Sequence, residues 1–251
     1  MDSKERFSSR VDAYVKYRPG YPKEAIDYLY ETEGFRAGAE IADIGAGTGI
    51  FTKLLLERGS KVAAVEPNRE MREAAAAELG NDPNFRALPG SAEATGLPGA
   101  SVDFVVSAQA FHWFDRDAAR TEFRRILKPG GKAALIWNSR LTSGSPFLEA
   151  YEQLLHRWST DYASVNHKNV SEEILAAFFQ EGTMRTARFR NRQKFDYDGL
   201  KGRLLSSSYA PETGHPNHEP MLRELRELFD RSESDGLVSF DYETEIYTGE
   251  V

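Results

Sequence analysis

The stretch Ile41-Ala42-Asp43-Ile44-Gly45-Ala46-Gly47-Thr48-Gly49 decides the reading of this chain. A short apolar run ends in an acid, then three glycines alternate with small residues, and Ile50, Phe51, Leu54 and Leu55 follow at helical spacing. That is a buried strand turning sharply into a helix. Glycines at such a turn let the backbone approach a ligand without a Cβ in the way. A ligand there would lie beyond the carboxyl end of a strand and beside a helix N-terminus. A tight turn with no ligand is the plainer alternative.

Two details narrow the choice. The dinucleotide fingerprint places a third glycine five positions after the first, and Ile50 stands there. Asp43 sits ahead of the glycines, where it suits an ammonium group and would repel a pyrophosphate. Glu66 follows the next apolar run, Val62 to Val65, about 20 residues after Gly45, where this architecture binds a ribose hydroxyl. An exposed acid at a strand end is the other reading of Glu66.

Outward from the turn, short strands alternate with helices. Strands are expected at Ile41–Ile44, Lys61–Val65, Asn84–Leu88, Val102–Ser107 and Lys132–Trp137. Helices are expected at Ile50–Arg58, Arg69–Leu79 and from Asp115 to Leu127, with Asn68 and Asp115 as N-caps and Lys128-Pro129-Gly130-Gly131 as a turn. The alternation predicts an α/β fold with a Rossmann-like, doubly wound, mostly parallel sheet of seven strands. Ahead of it, roughly the first 20 residues read as a helix, stopped at Tyr17-Arg18-Pro19-Gly20-Tyr21-Pro22. Pro22 then opens a second helix to Tyr30.

Beyond residue 138 the pattern is less regular. Helices are expected at Pro146–Trp158, Glu172–Phe179, Leu200–Ser207 and Met221–Asp230, and strands at Ala187–Phe195 and Ser239–Tyr247. The loop Pro211–Pro220 should be exposed. The organisation expected is a single domain over 1–251: an N-terminal helical lid at 1–35, a cofactor-binding core at 40–138, and a helical cap with sheet-completing strands at 139–236.

Composition removes several function classes. The 251 residues carry a net charge of −7 and include no cysteine. Thiolate metal sites, disulfides and a cysteine nucleophile are excluded, and no metal site is expected. Basic residues interleave with acids, as in Arg223-Glu224-Leu225-Arg226-Glu227, so no nucleic-acid partner is expected. No apolar run suggests a leader or an anchor, which points to a cytoplasmic chain without a membrane partner. A monomer or weak homodimer is expected.

In order along the chain, Asp43-x-Gly45-x-Gly47-Thr48-Gly49, Glu66-Pro67, Gly90-Ser91-Ala92-Glu93 with Leu97-Pro98, Val102 to Val106 and Arg125 to Gly131 resemble the motifs of class I S-adenosylmethionine-dependent methyltransferases. Tyr17 to Pro22, Ala108-Gln109-Ala110-Phe111-His112-Trp113-Phe114, Trp137-Asn138-x-Arg140 and Gly202 to Tyr209 are similar to the methyltransferase type 11 subgroup, to which trans-aconitate-type carboxyl methyltransferases are related.

The resemblance implies S-adenosylmethionine as cofactor and S-adenosylhomocysteine as product. It implies a cofactor site of Tyr14, Arg18, Asp43, Gly45, Gly47, Thr48, Gly49, Glu66, Pro67, Met71, Ser91, Ala92, Glu93, Ala108, Gln109, Ala110 and Trp113. Arg18 would meet the methionine carboxylate, and Tyr14 and Tyr17 would shield the site. His112 is a candidate acceptor base or a structural histidine. Tyr17, His112, Arg140, Arg203 and Tyr209 are candidates for the acceptor side. Arginine grips carboxylates bidentately, so the expected reaction is O-methylation of a small organic acid clamped by Arg140 or Arg203. Each of the two is equally readable as an ion-paired arginine. The alternatives are a carrier-bound acyl acceptor, a nicotinamide-dependent oxidoreductase on the same fold, and a non-catalytic sensor of the cofactor.

Overall fold

The computed structural model describes residues 17–162 and 170–251. The expected first helix, and Tyr14 with it, lies outside the described residues. The described chain runs α1 (Lys23–Glu31), β1 (Glu40–Ile44), α2 (Ile50–Glu57), β2 (Lys61–Val65), α3 (Arg69–Leu79), β3 (Phe85–Leu88) and β4 (Val102–Ala108). A short 3-10 turn at Phe111–Trp113 leads to α4 (Arg116–Ile126), β5 (Leu127–Arg140), α5 (Pro146–Trp158) and α6 (Glu172–Phe178). The chain closes with β6 (Arg185–Phe195), α7 (Tyr197–Leu205), α8 (His218–Ser232) and β7 (Val238–Gly249).

Seven strands form one sheet in the order β3-β2-β1-β4-β5-β7-β6. The first five are parallel, and β7 runs antiparallel to both β5 and β6. The usual doubly wound dinucleotide order is 3-2-1-4-5-6. Here the last strand instead folds back between the fifth and sixth.

Side chains leave alternate faces of a strand, and the sheet fills a core on each side. Ile41 joins Phe51, Leu55, Val62 and Phe104 under α1 and α2. Its neighbours Ala42 and Ile44 join Val65, Val105, Phe123 and Phe178 under α4 and α6. Burying each large aliphatic of these rows stabilises the fold by roughly 1.5–3 kcal/mol. A third cluster, with Leu154, Leu204, Leu225 and Phe240, packs α5, α7 and α8 over the ends of β6 and β7. The expected caps form: Asn68 accepts from the Met71 N–H and Asp115 from the Ala118 N–H.

Several boundaries differ from the sequence reading. Lys128 to Gly131 is not a free turn: Leu127 already pairs with Val102, and the register shifts before Phe104 pairs with Lys132. The four residues are a bulge within a long strand. Helix α7 begins at Tyr197, three residues before the expected Leu200, because Asp196 caps it through the Gly199 N–H at 2.8 Å. Helix α8 begins at His218 with Pro220 inside its first turn, where a missing N–H costs nothing. Pro211 and His218 are buried, and the His218 ring bonds the Pro211 carbonyl, so the expected exposed loop is anchored at both ends.

Candidate active site

Two clefts open at the carboxyl ends of β1, β2 and β4, and they meet over Gly45, Ala108 and Gln109. The larger holds about 770 Å³ and is walled by Glu66, Pro67, Met71, Ser91, Ala92, Glu93, Ala110 and Trp113. The smaller holds about 510 Å³ and is walled by Arg18, Asp43, Thr48, Asn138 and Arg203 among others.

The glycine turn builds the floor of both. Gly45, Gly47 and Gly49 all have positive φ. At Gly45 a Cβ would lie 2.5 Å from the Ala110 Cβ, so the residue must be glycine for the β4 end to close against the turn. The Gly45 and Ala46 N–H groups bond the Val65 carbonyl, at 2.8 and 3.2 Å, which ties the turn to the end of β2.

Glu66 is buried at that strand end, and its carboxylate accepts from two backbone amides, Gly47 N–H and Asn68 N–H, each at 2.8 Å. Burial pushes its pKa up, and the two amides oppose the shift. The carboxylate is thereby aimed across the glycine turn, with lone pairs left over. Asp43 is fully buried; Oδ2 accepts from the Thr52 hydroxyl at 2.6 Å, while Oδ1 has no hydrogen-bond partner among the described residues. Burial, helped by the charge of Glu66 and opposed by Thr52, pushes its pKa up to about 7. The Thr48 hydroxyl, beside the same cleft, is likewise buried without a partner among the described residues.

Gln109, at the end of β4, adopts φ +63°, held there by a 2.8 Å bond from its N–H to the Ile136 carbonyl. A non-glycine residue in that region is strained, and such strain concentrates at functional sites. It lies where the two clefts join.

The two arginines proposed as acceptor clamps have different surroundings. Arg140 is buried, ion-paired with Glu152, bonded to the Tyr162 hydroxyl and stacked on Tyr151. Its charge is already met by a carboxylate, and it lines neither cleft. Arg203 is 6% exposed and lines the smaller cleft. Its guanidinium donates to the Tyr242 hydroxyl at 3.1 Å and to Ser207 Oγ at 2.9 Å, and no carboxylate lies within ion-pair distance among the described residues.

Arg18 reaches the smaller cleft and donates to the Ser206 carbonyl at 3.2 Å. Tyr17 packs its ring on α7 at Gly202, where a Cβ would come within 2.1 Å of it. His112 lies on the 3-10 turn, stacked at a tilt on Trp113, and lines neither cleft. Tyr209 also lies outside both linings, its ring against Tyr162.

The sequence reading missed Asn68 and Phe114 in the larger cleft and Asn138 in the smaller. Asn68 was legible as a helix cap, which hid its second position beside the cleft. Asn138 stood in a quoted motif without a role. Among the described residues no three His, Asp or Glu side chains stand together as a metal site, and no helix is long and apolar enough to cross a membrane.

Comparison with known proteins places this geometry. The methyltransferase-domain family Methyltransf_11 matches residues 42–135, the span holding the glycine turn, Glu66 and Trp113. An uncharacterized methyltransferase of Mycobacterium tuberculosis is 46% identical over 134 residues. That match takes in 53% of this chain and 52% of the relative, so it spans about half the length of either protein. An uncharacterized methyltransferase of Schizosaccharomyces pombe is 29% identical over 97% of this chain and 96% of its own length.

Among solved structures, a candidate type II methyltransferase of Anaeromyxobacter dehalogenans superposes with a TM-score of 0.72. It is 24% identical and covers 93% of this chain and 98% of that one. A Haemonchus contortus phosphoethanolamine N-methyltransferase, bound to S-adenosyl-L-methionine, has a TM-score of 0.56 at 16% identity, over 99% of this chain and 58% of that one. At such identities these two likenesses show the fold alone. The glycine-turn site thus lies within a stretch of this chain that is similar to a methyltransferase domain.

Proposed function

We propose that the chain transfers a methyl group from S-adenosylmethionine to a carboxylate oxygen of a small organic acid. The observation that carries the acceptor reading is Arg203, a buried cation that lines the smaller cleft with no carboxylate within ion-pair distance among the described residues, though Asp43 lines the same cleft. An unpaired buried charge is costly, and a bound carboxylate would offset that cost.

The residues present suit the cofactor. Asp43 offers a buried, unpartnered oxygen for an ammonium group, and Arg18 a guanidinium in the same cleft for the methionine carboxylate. Glu66, held by two amides, has remaining lone pairs for ribose hydroxyls. Ser91, Ala92, Glu93, Met71 and Trp113 form the wall for the adenine. When bound, S-adenosylmethionine supplies a methyl group on a positively charged sulfur, which leaves as a neutral thioether as the acceptor oxygen takes the methyl. The chain's part is then orientation and exclusion of water. A carboxylate is already ionised at pH 7, so no base is required, in keeping with the position of His112 outside both linings. Tyr17, seated on Gly202, closes one side of the approach to the smaller cleft.

A free acceptor fits better than a carrier-bound one. An acidic carrier would need an unneutralised basic patch. In the basic row of β6, Arg188, Arg190 and Arg192 stand opposite Glu245, Glu243 and Asp241 of β7, and within that row only Lys194, opposite Ser239, has no acid across from it in the register.

The test is methyl-ester formation from labelled S-adenosylmethionine across a panel of mono- and dicarboxylic acids, repeated with Arg203→Met. The expected result is an active acid whose KM rises at least about tenfold in the variant, the loss of a charged hydrogen-bonded contact, while S-adenosylhomocysteine still binds. Unchanged acceptor kinetics in Arg203→Met would remove the clamp.

A further inference from the structure

The turn that walls the larger cleft is held from behind. Ser91, Ala92 and Glu93 face the cleft. Ser91 and Ala94 exchange backbone bonds at 3.1 and 3.3 Å, closing a tight turn, and a Cβ on Gly90 would lie 2.7 Å from the Thr95 carbonyl oxygen. The far side of this turn rests on one side chain of α4. Glu122 Oε1 accepts from both the Thr95 N–H, at 2.9 Å, and the Thr95 hydroxyl, at 2.6 Å. Arg125 grips both oxygens of the same carboxylate, at 2.6 and 2.7 Å, and donates onward to the Leu97 carbonyl at 2.7 Å. The Leu97 N–H in turn donates to the Thr95 hydroxyl at 3.2 Å.

Thr95 is 1% exposed and Glu122 8% exposed, so the Thr95–Glu122 bonds are shielded from water, while the Arg125 side chain that grips the same carboxylate is half-exposed. The carboxylate is charged throughout the working range, since the Arg125 guanidinium and the two Thr95 donors hold its pKa near 2 against its burial. Glu93 is fixed as well: its Oε1 accepts from the Asp115 N–H at 3.0 Å, at the head of α4. One helix therefore secures the turn at both ends.

We infer that Glu122, with Thr95 and Arg125, is a positioning residue that sets the shape of the base-binding wall, Ser91 to Glu93, and so the selectivity of the cleft for the purine it takes. The inference rests on reading the larger cleft as the nucleoside site. Glu122 touches no ligand in this scheme. It acts through Thr95, because a turn this tight passes any displacement of residue 95 on to residues 91–93.

The test measures calorimetric dissociation constants of the full chain for two probes, S-adenosylhomocysteine and S-inosylhomocysteine, which differ in the six-substituent of the purine and the N1 proton that goes with it. Their ratio is the readout, since a variant that merely lowers stability weakens both probes together. The expected result is a clear preference for the adenosyl probe in the wild type. Glu122→Gln and Thr95→Val should lower that preference about tenfold, the scale of one lost charge-assisted bond. Thr95→Ser, which keeps the hydroxyl, should retain it. Because the Thr95 pair keeps α4 intact, the test does not depend on how well Glu122→Gln folds. A wild-type ratio near one, or an unchanged ratio in both Glu122→Gln and Thr95→Val, overturns the inference. If Glu66→Ala weakens both probes in that case, the cleft reading stands and only the positioning role falls. If the wild type binds neither probe, the cleft reading falls and takes this inference with it.

Discussion

Two buried charges of opposite sign, Glu66 in the larger cleft and Arg203 in the smaller, are held by opposite means. Glu66 is satisfied by backbone amides, that of Asn68 two residues on and that of Gly47 in the glycine turn of the preceding strand–helix unit. Arg203 is satisfied by side chains, the Tyr242 hydroxyl from β7 and Ser207 one helical turn on. Amide donors come with the fold of the turn itself, so a short motif specifies them. The Tyr242 partner depends on the register of a distant strand and on the docking of α7 against it. On the function proposed, a cofactor site built the first way can be shared by many sequences, whereas an acceptor site built the second way can be redrawn by changes in β7 and α7 without touching the glycine turn.

That contrast can be broken most sharply at the turn. Gly45→Ala places a methyl group 2.5 Å from the Ala110 Cβ at a positive φ. Strain and overlap together should cost roughly 2–5 kcal/mol, seen as a lower melting temperature and loss of S-adenosylhomocysteine binding. A variant as stable as the wild type would show that the turn is softer than its geometry implies. Next in size, Glu66→Ala should weaken the cofactor by roughly 1.5–3 kcal/mol, the loss of charge-assisted bonds. An unchanged dissociation constant would take the ribose role from Glu66.

A third effect is pH dependence at Asp43. Its folded pKa, about 7, is above the unfolded value of 3.8. The folded chain without ligand therefore binds more protons than the unfolded chain between those values, so Asp43 makes stability fall as pH rises from about 4 to 7. An ammonium partner favours the ionised form, so cofactor affinity should rise with pH, about tenfold between pH 6 and 8. Asp43→Asn should flatten the part of the profile that Glu66, also raised by burial, does not carry. A wild-type profile already flat between those pH values would detach Asp43 from the ammonium.

The smallest effect has the opposite sign from the others. Arg203→Met removes a buried charge without a carboxylate partner, so it should raise the unfolding free energy by about 1 kcal/mol or more while acceptor use declines. Destabilisation by that much in a denaturant titration would mean that the bonds to Tyr242 and Ser207 already offset the burial of the charge, and the acceptor would lose its electrostatic argument.

How much of this was readable depends on sequence distance. The strand–turn–helix at Ile41–Gly49, the Asn68 and Asp115 caps and the alternation through Trp137 were legible because each signal lies within about a dozen residues, the span of one element. Helix α7 was misplaced because Gly199 and Gly202 depress its propensity, and only the Asp196 cap reveals its start. The strain at Gln109 was invisible, since nothing in Ala108-Gln109-Ala110 requires a positive φ; the bond from its N–H to Ile136 in the neighbouring strand does. Arg140 and Arg203 looked alike as letters, and they parted only when Glu152 came to lie beside one of them.

The parallel half of the sheet, the glycine turn, the acid beyond the second strand and the resemblance to a methyltransferase domain were legible in the sequence alone, because local periodicity and backbone geometry are encoded by neighbours. The tertiary structure decided that β7 folds back antiparallel between β5 and β6, which arginine remains without a carboxylate, and which carboxylate braces the Ser91–Glu93 wall. Those outcomes rest on contacts between residues tens of positions apart, and the cost of burying a charge depends on what has been folded around it.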